Sequence, residues 1–266
     1  MKRLLIARCL PVTALLPDAA AFAAAYAALP EWRRKKCDAF RFDADKRRSV
    51  AAWLLAARLL KESGFDAGSS EVAENEFGKP FFTASGAPRF SLSHAGEMVM
   101  AAVADEEVGC DVELVAPVQD GVPQGCLTAE ELAFLENRAD REREFCRLWV
   151  RKESALKALG TGFLREPCGY SVLADAAPEG VMISDCEVSD PAYCAAVAEC
   201  KGRRLKNHMR EDSHHGSTDI PVRAGGGEMT IKGRVPLANH GTDRNVRAPD
   251  STPRSGSFAI ISMENE

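Results

Sequence analysis

Apolar residues recur along the first 200 positions at two spacings, and the changes of spacing mark the elements. The opening run Leu4-Leu5-Ile6-Ala7 is interrupted by Arg8 and followed by Pro11 and Pro17, which predicts a first β-strand rather than a secretory leader. Pro17-Asp18 opens an alanine-rich helix to about residue 29. A second helix is predicted over 45–63, with Trp53, Leu54, Leu55, Leu59 and Leu60 apolar and Gly64 ending it. Gly78-Lys79-Pro80 predicts a turn, and the apolar segments 90–93, 99–104 and 109–115, parted by polar breaks, read as strands. Thr128 and Glu131 form a capping-box pattern that starts a short helix to about 136. A longer helix is predicted over 141–159, before Gly160-Thr161-Gly162, and three weaker strands over 168–173, 181–188 and 193–197. Helix followed by strands therefore occurs twice, with no repeat of residues.

From Lys201 onward glycine, serine, histidine, asparagine and charge dominate, with little apolar periodicity until residues 258–261. Residues 201–266 are expected to form a disordered tail, with a basic peptide-binding arm as the functional alternative. No stretch before it is long and uncharged enough to cross a bilayer.

Composition adds three constraints. With 266 residues, 45% of them hydrophobic, the chain supplies a core for one large domain or two modest ones. The net charge of −5 conceals a division: residues 201–266 hold 11 Lys and Arg against 8 Asp and Glu, leaving 23 against 31 before them. An acidic body argues against nucleic acid as the main partner. Nine cysteines without C-x-x-C or zinc-like spacing read as reduced thiols of a cytoplasmic protein.

Three segments carry candidate chemistry. In Gly109-Cys110-Asp111-Val112-Glu113 two carboxylates two positions apart project from one face of a strand, while Cys110 and Val112 point into the core. Such a pair suits a magnesium ion, whose octahedron is completed by waters and substrate phosphates; taken alone, the pattern also suits a solvated sheet face. On the long helix Trp149, Glu153 and Lys157 fall at i, i+4 and i+8, a stripe that alone would be an exposed Glu–Lys pair worth about 0.2–0.5 kcal/mol beside a core tryptophan. Phe90-Ser91-Leu92-Ser93-His94 ends in the only histidine of the first 200 residues, a surface or core group by itself, or an imidazolium that with Ser93 binds a phosphate oxygen.

Taken in order, these segments resemble the 4′-phosphopantetheinyl transferases, specifically the two-subdomain type that activates peptide synthetases such as surfactin synthetase. That family shows a basic Arg-bearing helix, a G-K-P turn, an L-S-H strand, a G-x-D-x-E strand and W-x-x-K-E-x-x-x-K on a helix, and residues 1 to about 200 present each in turn. The resemblance implies an α+β fold of two pseudo-symmetric subdomains, 1–105 and 106–200, each a helix on a small antiparallel sheet, in a monomer with the site at their junction. It implies transfer of phosphopantetheine from coenzyme A to a serine of an apo acyl, peptidyl or polyketide carrier protein, releasing adenosine 3′,5′-bisphosphate. Asp111, Glu113 and Glu153 would hold Mg²⁺, Glu153 would also take the serine proton, and Lys157 would touch the pyrophosphate. Lys79, Ser93, His94 and Arg48 correspond to coenzyme A contacts, with Arg48 and His94 directed at the 3′-phosphate.

Adjacent Arg47 leaves the helix phase open, and Lys152 is either a phosphate contact or a helix-surface lysine. Arg33-Arg34-Lys35-Lys36 is either added positive potential or a solvated run. Cys110 stands where the family usually has isoleucine or valine, and Gly160-Thr161-Gly162-Phe163 replaces its commoner G-K-G-L. The alternative from a different class is a binding module that retains coenzyme A or a carrier without chemistry. A magnesium-dependent nucleotide hydrolase is disfavoured by the lack of a Gly-rich phosphate loop.

Overall fold

The computed structural model describes residues 4–161, 166–177, 180–202, 221–224 and 227–230. Its strands are β1 (Leu5–Pro11), β2 (Val72–Glu74), β3 (Pro80–Phe82), β4 (Arg89–Ala95), β5 (Met98–Ala104), β6 (Val108–Leu114), β7 (Ala176–Ala177), β8 (Val181–Asp185), β9 (Tyr193–Cys200), β10 (Pro221–Ala224) and β11 (Gly227–Thr230). Its helices are α1 (Val12–Leu15), α2 (Ala19–Ala27), α3 (Glu31–Asp38), α4 (Asp43–Glu62), α5 (Val122–Cys126), α6 (Ala129–Glu136) and α7 (Arg141–Leu159). The fold is α+β, with antiparallel sheets.

The repeat foreseen in element order is a repeat of topology. One sheet has the order β1-β5-β4 and the other β6-β9-β8-β7. In each, a strand precedes a long helix, the helix is followed by an antiparallel hairpin, and the last strand of that hairpin pairs with the first strand. Helix α4 covers β4 and β5, and α7 covers β6, β8 and β9.

Strand periodicity divides the core. Val99, Ala101 and Val103 of β5 face α4, whereas Met98, Met100, Ala102 and Ala104 join a cluster shared with Val108, Cys110 and Val112 of β6 and Tyr193, Ala195 and Val197 of β9. Cys194, Ala196, Ala198 and Cys200 of β9 turn the other way, into the cluster around α7. The third cluster therefore joins the two sheets by apolar contact.

No ladder joins β4 to β6 among the described residues, although the strands lie side by side. Phe90 and Leu92 point into the α4 core, so Ser91 and Ser93 are left facing β6. The Ser91 hydroxyl accepts the Cys110 N–H at 3.0 Å, supplying the partner a backbone carbonyl would otherwise provide.

Several boundaries differ from expectation for physical reasons. The segment expected as a strand over 168–173 is irregular, with a 3-10 turn at Pro167–Gly169. Side chains satisfy its backbone: Lys152 donates to the carbonyls of Pro167 and Tyr170, Arg151 to those of Val172 and Ala174, and Glu131 accepts the Val172 N–H. Helix α3, absent from the sequence reading, spans the Arg33–Lys36 run; Arg33 is wholly buried and donates to the hydroxyl and carbonyl of Ser49. Of the stretch expected to lack structure, residues 201–202 and the β10–β11 ribbon are described, and the rest of that expectation lies outside the described residues.

Candidate functional site

The strand β6 and the helix α7 meet at Gly109. A Cβ built there would lie 2.0 Å from the Ser154 carbonyl oxygen, 2.3 Å from the Ala158 nitrogen and 2.8 Å from the Lys157 Cβ, so only glycine allows this approach. The close crossing sets the α7 stripe against the odd-numbered face of β6. Asp140 caps the helix by accepting the Arg143 N–H, and Gly160 ends it in the left-handed conformation at φ 65°.

Asp111, Glu153 and Lys157 are all buried at this crossing, while Glu113 is half-buried. Asp111 Oδ1 accepts from Ser93 Oγ at 2.7 Å and from Lys157 Nζ at 3.0 Å. Lys157 Nζ also reaches Ser93 Oγ at 3.3 Å and the Leu92 carbonyl at 3.4 Å, so groups from β4, β6 and α7 converge on one ammonium. Asp111 Oδ2 and Glu153 Oε1 are buried without a hydrogen-bond partner.

The electrostatics follow from that burial. Burial, then the charge of Asp111, pushes Glu153 up to about 8, with Lys157 opposing. Burial raises Glu113 well above the usual carboxylate range, and Asp111 and Glu153 add to it. Burial also raises Asp111, against the pull of Lys157 and Ser93. For Lys157 burial works against the charged form, but Asp111 and Glu153 outweigh it and hold the ammonium protonated. The three carboxylates are thus near enough to repel one another, with a single cation among them.

Among the described residues no group of three His, Cys, Asp or Glu side chains already forms a ready metal cage. The site offers two unpartnered carboxylate oxygens in an over-acidic environment, a donor set that suits a hard divalent ion sharing its shell with waters and phosphate oxygens.

The remaining sequence candidates lie elsewhere. Arg48 donates to the Gly96 carbonyl at 3.2 Å and pairs with Asp45, which places it at the β4–β5 turn; Arg47 turns away to the Leu16 carbonyl. His94 is half-buried, with the Phe40 ring edge-on at 6.2 Å. Lys79 is not brought to the acid cluster: it is buried, and its Nζ bonds to Glu107 Oε2 at 2.8 Å, the Val108 carbonyl at 3.1 Å and the Ala158 carbonyl at 3.4 Å. Arg89 takes the other Glu107 oxygen at 3.0 Å.

Lys152 is neither a surface lysine nor near the acid cluster. It is wholly buried, pairs with Glu131 at 2.8 Å and lies 4.8 Å from the Tyr170 ring centroid. Trp149 is buried in the α7 core, as packing requires. Cys110 is also core, and burial pushes its thiol up to about 12. The sequence reading missed Ser91, Glu107 and Glu131 as partners. Only Glu131 carried a signal, the capping box, which the structure shows complete while its second oxygen binds Val172.

Fold and site together define an α+β protein with a buried acidic centre beside the seam of two strand–helix–hairpin units. The profile of the 4′-phosphopantetheinyl transferase superfamily matches residues 107–207. The chain is 32% identical over 143 residues to the 4′-phosphopantetheinyl transferase AcpT of Salmonella typhi, covering 52% of this chain and 71% of that protein. It is 29% identical over 181 residues to the 4′-phosphopantetheinyl transferase psf-1 of Bacillus pumilus, covering 64% and 78%. A 4′-phosphopantetheinyl transferase of Bacillus subtilis is 28% identical over 149 residues, covering 55% and 66%. The chain belongs to the 4′-phosphopantetheinyl transferase superfamily.

Proposed function

We propose that the protein transfers 4′-phosphopantetheine from coenzyme A to a serine of an apo acyl, peptidyl or polyketide carrier protein, with Mg²⁺ held by Asp111, Glu113 and Glu153. The observation that carries this reading is the pair of buried carboxylate oxygens without partners, Asp111 Oδ2 and Glu153 Oε1, beside the ammonium of Lys157. Mg²⁺, when bound, supplies positive charge that neutralises the pyrophosphate and orients it for in-line attack.

The chain's own groups do the rest. The serine oxygen bonds to the β-phosphorus, and the bond from that phosphorus to the bridging oxygen breaks, leaving the electron pair on adenosine 3′,5′-bisphosphate. Glu153 takes the serine proton directly or through water, its proton affinity already raised by burial and by Asp111. Lys157 stays charged through the pH range of interest and stabilises negative charge on the leaving side. Arg48, which meets the Gly96 carbonyl of the β4–β5 turn, and His94, near the end of β4, hold the 3′-phosphate, while Ser93 contacts coenzyme A from the face of β4 turned to Asp111 and Lys157.

In this reading the chain is a monomer of subdomains 1–105 and 106–200, a division that the two topological repeats support, acting in the cytoplasm on proteins and not on nucleic acid. Among the described residues no helix is long and apolar enough to cross a membrane. The test is direct: with coenzyme A and Mg²⁺, a suitable apo carrier gains one phosphopantetheine by intact-protein mass spectrometry, and Asp111→Ala abolishes the gain. Failure of the wild-type chain on acyl, polyketide and peptidyl carriers alike refutes the proposal.

A further inference from the structure

The turn between β2 and β3 does something that its lysine alone does not suggest. Asn75 Oδ1 accepts the N–H groups of Phe77 and Lys79, each at 2.9 Å, and Asn75 N donates to the Lys79 carbonyl, so the residues 75–79 form one rigid turn with Gly78 at φ 84°. That turn belongs to the α4 side of the molecule, yet two of its side-chain donors reach the end of α7. Asn75 Nδ2 donates to the Gly160 carbonyl at 2.9 Å, and Lys79 Nζ reaches the Ala158 carbonyl at 3.4 Å.

The last carbonyls of a helix have no partner within it, and the negative end of the helix dipole favours a cation there. Leu156 is served by Gly160 N, and the carbonyls of Ala158 and Gly160 are served by the turn. Lys79 Nζ also holds the carbonyl of Val108, which immediately precedes Gly109, the residue on which α7 crosses β6. One ammonium therefore ties the end of the helix to the strand at their crossing, next in sequence to Lys157 on one element and three positions before Asp111 on the other.

We propose that Asn75 and Lys79 form a helix cap donated from outside α7, and that they are positioning residues for Glu153 and Lys157. This rests on the transferase reading and reassigns the lysine of the Gly-Lys-Pro turn. Its three acceptors leave the ammonium directed into the protein, where Glu107 compensates its charge. The turn fixes the axial position and phase of α7, and so the distance from Lys157 to Asp111.

The experiment compares Asn75→Ala, Lys79→Met and the double variant. Asparagine carries no charge, so a phosphate contact and a cap predict different patterns. A cap predicts that both single variants lower kcat by about tenfold or more, in line with the sensitivity of transfer reactions to displacements of about 1 Å, while the KM for coenzyme A changes less than about threefold. It also predicts that the double variant loses little more than the worse single one, because both remove the same restraint.

Hydrogen exchange supplies a readout independent of activity. In either single variant the amides of the last turn of α7 lose protection while those of β5 keep it. The cap is overturned if Lys79→Met raises the KM selectively with kcat intact and Asn75→Ala is silent, or if exchange at the last turn is unchanged in both. If the wild-type chain transfers nothing, the transferase reading fails, while the exchange result still decides whether the turn caps the helix.

Discussion

Glu153→Gln tests the electrostatic account of the site in the metal-free protein. A carboxyl whose proton affinity is higher folded than unfolded makes the folded state bind the extra proton, so its contribution to stability falls as pH rises from the unfolded value to the folded one. For Glu153 that window runs from 4.5 to about 8. At about 1.4 kcal/mol for each tenfold change in affinity, the ceiling is on the order of 5 kcal/mol, and shared titration with Asp111 and Glu113 divides it. Glutamine matches the size of the side chain and removes the charge at every pH. In urea unfolding with EDTA, wild type should lose about 1–3 kcal/mol more between pH 5 and pH 8 than Glu153→Gln does, since an uncoupled group would lose at most about 3.5 kcal/mol in that window. In thermal melts the same difference is about 3–10 °C for a chain of this size. Equal pH slopes in the two proteins would refute the argument, because they would mean that Glu153 ionises in the fold as it does in water.

Adding Mg²⁺ should raise the melting temperature of wild type more at pH 8 than at pH 5, with Glu153→Gln responding weakly, as differential scanning fluorimetry would show; a pH-independent response contradicts metal binding by the repelling carboxylates. Gly109→Ala should destabilise by more than about 3 kcal/mol in urea unfolding, since the new Cβ meets backbone atoms at 2.0 and 2.3 Å that no side-chain rotation can clear. Lys152→Met should cost about 3–5 kcal/mol because it leaves Glu131 charged and buried. The soluble fraction of that variant should keep the wild-type KM for coenzyme A, and a large KM increase would make Lys152 a substrate contact after all.

Periodicity and motif order in the sequence sufficed for α4, α7, β5, β6 and the doubled element order, because each of those elements buries an apolar face with a regular period. The α6 capping box was legible for the same local reason, since donor and acceptor lie three residues apart. What escaped were elements whose backbone is satisfied from a distance. Residues 168–173 looked like a strand by composition, but Lys152, Arg151 and Glu131 take up their polar groups from 18 or more residues away. The partners of Lys79 were hidden for a related reason: a lysine beside a glycine turn is suited to phosphate and to carbonyls alike, and its bonds to Glu107 and Ala158 depend on residues distant in sequence. The acid cluster was legible as residue types, whereas Ser93 as the hydrogen-bond donor to Asp111 depends on β4 lying beside β6 without a ladder.

That missing ladder gives the site its form. Were β4 and β6 paired by backbone hydrogen bonds, the two sheets would form one continuous surface, and the strand positions facing α7 would be covered by strand carbonyls and amides in mutual satisfaction. Instead Ser91 and Ser93 supply hydroxyls across the seam, one to a backbone amide and one to Asp111. A hydroxyl both donates and accepts, so Ser93 serves Asp111 Oδ1 while also accepting from Lys157, leaving Asp111 Oδ2 unpartnered. An apolar residue at 93 would strand Asp111 Oδ1 with Lys157 alone and raise its proton affinity, whereas a carboxylate there would add a fourth negative charge beside one ammonium. Serine keeps Asp111 Oδ1 and Lys157 partnered while leaving Asp111 Oδ2 for a cation, and this balance follows from a seam closed by side chains rather than by main chain.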